Sequence, residues 1–269
     1  AKVNAQITKW LDLNYSLRWP RDEYERPPYL SGLFFHNIVR RGPTNATHDP
    51  NGYIMPHNEG LQLMDGGRTS REDDYTNQQI SLIAHPVKGL TIKAENNYNT
   101  TTYFTHGEIF PVYWHDKDGN PIAAKWDDWK QAGLSEVSEQ AQKVNYFSGR
   151  YFAEYAREWG KHDFKVVGGL DLEVRKYRNL SGSKKDIITS EVPTLNTATN
   201  DKPGLSGGYN HWSTMGMFAR VNYAYDSRYL VEVSLRRDGS SRFIGDKTWA
   251  TFPSFSLGWN VANEDFFKP

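Results

Sequence analysis

Residues able to do chemistry are present in this chain but poorly arranged for it. Asp116-Lys117-Asp118-Gly119-Asn120 has the flavour of a calcium loop, yet its glycine is fourth rather than sixth and Asp127, not Glu, stands at the twelfth position. A polar hairpin tip explains the run more simply. The acidic run Glu72-Asp73-Asp74 beside Arg68 and Arg71 reads as a solvated loop face. Eight histidines (His36, His48, His57, His85, His106, His115, His162 and His211) are scattered, and none makes the i, i+4 pair of a zinc hydrolase. No metal ligand set, cofactor loop or catalytic residue is expected, and the chain is not expected to be an enzyme. Four loop aromatics, Tyr113, Trp114, Trp126 and Trp129, are candidates to stack on a substrate, although large rings in ordered loops more often bury themselves.

The elements that would position these residues are strands. From Val3 to Trp19 the odd positions are mostly apolar and the even ones mostly polar, broken only at Lys9-Trp10. This predicts one long strand, with the break at an outer membrane interface where Trp settles and Lys snorkels. Three hairpins repeat the period of two: Ile80–Ala84 with Leu90–Glu95, Val144–Arg157 with Phe164–Val174, and Met215–Tyr225 with Tyr229–Leu235. A last strand carries Phe255, Leu257, Trp259 and Val261. About eight strands are expected. Short turns at 86–89, 158–162 and 226–228 alternate with long polar excursions near 20–76, 104–141 and 178–210. That asymmetry is the pattern of outer-membrane barrels, with short periplasmic turns and long extracellular loops. Trp10, Trp19, Trp159 and Trp259 suit girdle or strand-end positions.

Composition agrees. Aromatic residues make up 14% of the 269 residues while mean hydropathy is −0.74, a pairing that suits a wall with one wet face. Thirty-two basic residues balance thirty-two acidic ones, which argues against a nucleic-acid partner. No apolar run is long enough for a spanning helix. Cysteine is absent, so disulfides and thiolate metal sites are excluded.

A sheet of this size has two bare edges that lipid cannot satisfy, so it must close on itself or continue. Periodicity leaves both open: a self-contained eight-stranded barrel acting as adhesin or anchor, or part of something larger. A soluble β-rich carbohydrate-binding domain is a further rival, and it needs a common core. The run Tyr229 to Phe243, with Arg236-Arg237-Asp238-Gly239-Ser240-Ser241-Arg242-Phe243, resembles a hallmark of SusC/RagA-like TonB-dependent transporters. So do Trp249 to Trp259, with Phe252, Pro253, Gly258 and Trp259, the later Glu264-Asp265-Phe266-Phe267, and the approach from Ala219 to Arg228. The resemblance implies an all-β antiparallel transmembrane wall, part of a plugged barrel of about 22 strands in a bacterial outer membrane. It also implies uptake of a bulky glycan or peptide, a SusD-like surface lipoprotein, and energy from the TonB complex. Residues 1–269 show no plug domain, no TonB-contacting segment and no terminal aromatic strand, so they are expected to form a partial barrel domain completed by the remainder of the same barrel. Within the motif, Asp238-Gly239 is expected to make a tight turn with positive φ, and the arginines to pair with acids of the lumen or loops.

Overall fold

A computed structural model describes residues 1–28, 35, 36, 39, 40, 42, 44, 46–55, 64–124 and 132–267. Its main feature is a single antiparallel sheet. The strands are β1 (Lys2–Thr8), β2 (Leu11–Arg18), β3 (Arg21–Arg26), β4 (Thr69–Ala84), β5 (Leu90–Ile109), β8 (Glu136–Trp159), β9 (His162–Lys185), β10 (Gly204–Tyr225), β11 (Tyr229–Ser240) and β12 (Trp249–Trp259). β6 (Tyr113–His115) and β7 (Pro121–Ala123) form a separate small hairpin between β5 and β8. The order is β1-β2-β4-β5-β8-β9-β10-β11-β12, and β3 pairs with β4 above β2.

The first segment is not one strand. Lys9 and Trp10 form a turn, and Val3 faces Tyr15 across a hairpin. The two-residue turn pairs Thr8 with Leu11 and would by itself shift the parity, but a bulge at Ile7 restores it, so odd positions of both arms share a face. The turn lies at the end of the sheet where β4 passes to β5, since Leu11 pairs with Ala84. Trp10 therefore belongs to the short-turn rim, not to the outer interface. β2 then continues through Trp19-Pro20 into β3 without a slip in register, Arg18 facing Asn77 and Arg21 facing Asp74. Proline, lacking an N–H, interrupts the ladder there without ending it.

Strands also run further than the apolar alternation does. Both β8 and β9 have 24 residues, against the ~9–11 needed to cross a bilayer. The polar residues expected in loops at 69–76, 104–109, 178–185 and 204–210 are strand extensions standing above the apolar band. Glu72, Asp73 and Asp74 accordingly lie within β4, not on a loop. Arg21 makes two bonds of 2.7 Å to the Asp74 carboxylate from the neighbouring strand.

Period two separates the faces. Leu13, Leu82, Ile92, Tyr151, Leu172, Met217, Val233, Leu235, Phe255 and Leu257 share one face, and many remain open to the surroundings (Leu257 at 70%, Leu235 at 51%). Among the described residues the buried hydrophobic side chains are Val112, Val137 and Ala198. Three such residues cannot make the common core a soluble domain of this size requires, so the apolar face is a solvent-exchanged belt rather than half of a sandwich. Trp259 at the foot of β12 and Trp249 at its head both lie on that face. Ten residues at ~3.3 Å, tilted by ~40°, separate them by about 25 Å in height, the span between the aromatic girdles of a membrane barrel.

Strand directions decide the closure question. β1 and β12 both run toward the short-turn end. Pairing them would be parallel, so these nine side-by-side strands cannot close into the small antiparallel barrel considered above.

The short-turn rim is tied together by charge. Asp226 and Ser227 both have positive φ (54° and 52°), as a type I′ turn demands. Lys161, in the preceding turn, holds Asp226 at 2.8 Å. The Glu264 carboxylate, in the 3-10 turns after β12, accepts from Tyr229 Oη (2.8 Å), Trp259 Nε1 (3.0 Å) and Arg228 Nη1 (3.0 Å). Those bonds, Tyr229 first, hold its pKa below the usual carboxylate value. The stability it contributes is present above its unfolded pKa of about 4.3 and is lost as pH falls through the lower folded value. Acid titration followed by Trp emission should show a rim transition below about pH 4. Glu264→Gln should remove that transition; its persistence in the variant would assign it to another group.

Candidate functional site

The polar face is organised in horizontal rows, because register aligns one residue from each strand. In the lowest of three, Glu95, Arg150, Asp171, Gly216 and Asp238 stand side by side from β5 to β11. Asp171 accepts Arg150 Nε at 2.7 Å on one oxygen and Arg236 Nη1 at 3.0 Å on the other. Arg236 Nε is shared with both Asp238 oxygens at 2.8 and 2.9 Å. Arg236 reaches Asp171 across β10, where Gly216 leaves the space. A Cβ at that position would overlap both the Arg236 guanidinium and the Asp238 carboxylate. The middle row is Asn97, Ser148, Glu173, Thr214 and Ser240, in which Glu173 accepts Tyr146 Oη at 3.0 Å and Thr214 Oγ1 at 3.2 Å. Above it lie Tyr146, Arg175 and Trp212. The two lower rows and Tyr146 border a recess of about 740 Å³ whose lining also includes Phe243, Lys247 and Phe252.

The motif read from the sequence is split between the two faces. Arg236, Asp238, Ser240 and Phe252 face the recess, whereas Arg237 and Gly239 share the apolar side with Trp249. The expected turn at Asp238-Gly239 is not there. Both residues are in β11, paired with Ala250 and Trp249, and Gly239 has no positive φ. Gly239 is needed for closeness instead, since a Cβ on it would lie 2.9 Å from the Trp249 ring. The connection is 241–248, where Gly245 carries φ 65°. Arg237 lies 5.4 Å from the Trp249 ring centroid, an interfacial cation over an upper-girdle indole. Of the motif arginines, Arg236 does pair with acids on the polar face, while Arg237 and Arg242 lie over indoles. At Pro253 the missing N–H costs no β11–β12 bond. Asn260 N bonds to Arg228 O, and alternation then turns the nitrogen of residue 253 away from β11. Gly258 packs beside Leu230, and Trp259 joins the rim cluster.

Comparison with protein-family models gives no match. Over 131 residues, 48% of this chain, it is 32% identical to TonB-dependent receptor P3 of Formosa agariphila. It is 48% identical over 125 residues to TonB-dependent receptor P39 of the same organism, and 34% identical over 135 residues to TonB-dependent receptor SusC of Bacteroides thetaiotaomicron. The matches span only 12–13% of those relatives. The whole chain superposes on solved structures of the RagAB peptide transporter (TM-score 0.73, 21% identity) and of the RagAB peptide importer in its open-open state (0.76, 20%), covering 30% of each of those chains. The chain thus has the fold of a RagAB-like barrel wall, and nearly half of it is similar in sequence to TonB-dependent receptors.

In a barrel wall of the bacterial outer membrane, the apolar belt meets lipid and the polar rows line the lumen. Short turns then mark one rim, and the connections from β3 to β4, β5 to β8, β9 to β10 and β11 to β12 leave from the other. Tyr113 is 44% exposed on β6, whereas Trp114 packs on Val112 with Ile54, Ile109, Ala124 and Leu134 as the core of its own loop. Trp126 and Trp129 lie outside the described residues. Asp116 closes the β6–β7 tip, accepting from the backbone N–H groups of Asp118 (2.8 Å) and Asn120 (2.9 Å) and from Asn120 Nδ2 (2.9 Å). Its oxygens are thus engaged within the hairpin. Gly204-Leu205-Ser206-Gly207-Gly208 matches the Gly-x-Ser-x-Gly pattern of a nucleophile elbow. It lies in β10, paired residue by residue with β9, and has no strand-to-helix turn to expose the serine. Sequence reasoning also missed Asp171, Glu173, Tyr146 and Trp212. Their only signal is parity with Arg236 and Ser240, which needs the register to be known.

Proposed function

We propose that this chain forms part of the wall and extracellular loops of a TonB-dependent importer of a bulky nutrient, a glycan or a peptide. The supporting observation is the sheet itself, a wall with a lipid belt outside, a polar recess inside and two edge strands pointing the same way. Such edges ask for further strands on both sides, and a barrel of about 22 has a lumen wide enough for a plug and a large cargo. The relatives named as TonB-dependent receptors support energy from the TonB complex. The pairing in RagAB supports a SusD-like surface lipoprotein over the long loops. The remainder of the same barrel supplies the missing wall and the segment that engages TonB.

The test is the intact mass of the native protein extracted from its outer membrane, with peptide mapping. Since 30.9 kDa corresponds here to 30% of a RagAB-like chain, a mass of about 100 kDa is expected, with peptides from both sides of this segment and a co-purifying lipoprotein. A native mass close to 30.9 kDa would overturn the proposal.

A further inference from the structure

The third of these rows on the luminal face carries charge without counter-charge. Tyr146 on β8 faces Arg175 on β9, which faces Trp212 on β10. Beyond the end of β11, Ser241 continues the pairing, its N–H donating to Ser213 O at 2.9 Å and its Oγ accepting from Ser213 N at 2.8 Å. That brings Arg242 beside Trp212, with the guanidinium 4.9 Å from the indole centroid. Tyr146 and Trp212 rings approach to 6.4 Å, and Arg175 leans over Tyr177 at 5.9 Å. With strands ~4.8 Å apart, the four positions alternate aromatic and arginine along roughly 15 Å.

Lower on the same face Arg150, Arg220 and Arg236 each lie within 4 Å of a carboxylate, at 2.7, 3.7 and 2.8 Å. Among the described residues Arg175 and Arg242 make no ion pair, although Arg175 is half-buried. Glu173, in the row beneath, accepts bonds from Tyr146 and Thr214 on its two oxygens. A guanidinium held by its face against a ring keeps its edge donors for something else, and that fork matches a carboxylate. The backbone here is paired with neighbouring strands, so a strand-like peptide would find no main-chain partner. The row beneath instead offers the hydroxyl and amide groups of Asn97, Ser148, Thr214 and Ser240, suited to a ligand dense in hydroxyls.

Resting on the importer reading, we infer that this row binds the carboxylates of an acidic oligosaccharide passing through the lumen, with Arg175 and Arg242 as the anion ligands and Tyr146 and Trp212 as the flanking platforms.

The experiment uses the full-length transporter in detergent. Binding of an oligogalacturonate of about five units is compared with that of its methyl ester, the same backbone without charge, by titration calorimetry. The acid should bind about tenfold tighter at low salt, and added salt should erode the advantage. Arg175→Gln with Arg242→Gln should abolish the preference while leaving heat-modifiable mobility on gels unchanged. Equal binding of acid and ester, no binding of either, or a preference that survives the double substitution would each overturn the inference. A chain that is not an importer wall fails the mass measurement, whereas an importer indifferent to charge fails only this one.

Discussion

Replacing Val233 with arginine should cost the assembled barrel about 2–4 kcal/mol, whereas the same change at its neighbour Ser234 should cost less than about 1. Val233 sits mid-strand in β11, paired with Val221 on one side and Phe255 on the other, and is 48% open on the apolar face. With the girdle residues Trp259 and Trp249 marking the two interfaces, it lies close to the bilayer midplane, where an Arg has the furthest to snorkel. Ser234 points the other way, into the lumen beside Arg220 and Ser254, where water and polar groups accept a cation. Urea unfolding of the full-length protein in lipid vesicles measures both. If the two variants lose similar stability, the assignment of faces is wrong.

That assignment was legible in the sequence because burial in lipid and exposure to a wet lumen impose opposite chemistry at alternate positions. Met215 to Tyr225 and Tyr229 to Leu235 could be placed as a hairpin from this alone, and the structure pairs them without a slip. Legibility ended where the outer face stops meeting lipid. In the stretch from Thr69 to Gln79 both faces are polar, so nothing in the pattern distinguishes a strand from a loop, yet β4 runs through it. A bulge at Ile7 also concealed the Lys9-Trp10 turn, since it cancels the parity shift of a two-residue reversal and lets the alternation read through. The motif was recognised by resemblance, but its physical reading erred at Asp238-Gly239. That pair has the composition of a turn, and here a cross-strand demand, the Trp249 ring lying on Gly239, sets the residue instead. The recess residues contributed by β8, β9 and β10 were invisible for a related reason. Tyr146, Asp171 and Thr214 are far apart in the chain, and only the register makes them neighbours.

The same register argument predicts that Asp171→Asn is the most costly single change within the luminal network. Asp171 is the sole carboxylate that joins two strands through different arginines, Arg150 of β8 and Arg236 of β11 among the described residues. Neutralising it leaves two guanidiniums in a recess where its side chain is only 19% exposed. Removing one partner of a well-buried pair costs ~3–5 kcal/mol, and the wet, open recess reduces this to about 2. Asp238→Asn should cost less, about 1 kcal/mol or below, since Arg236 keeps Asp171 and Asp238 is more exposed. A double-mutant cycle between Asp171→Asn and Arg236→Gln, read by urea unfolding, should show a coupling of about 1 kcal/mol. Additive losses would mean that the contact across β10 carries no energy. In that case the absence of a side chain at Gly216 would need another cause, because its space is filled by the Arg236 and Asp238 side chains. The coupling therefore tests more than one ion pair: it asks whether a glycine on one strand exists to let charges on its two neighbours meet.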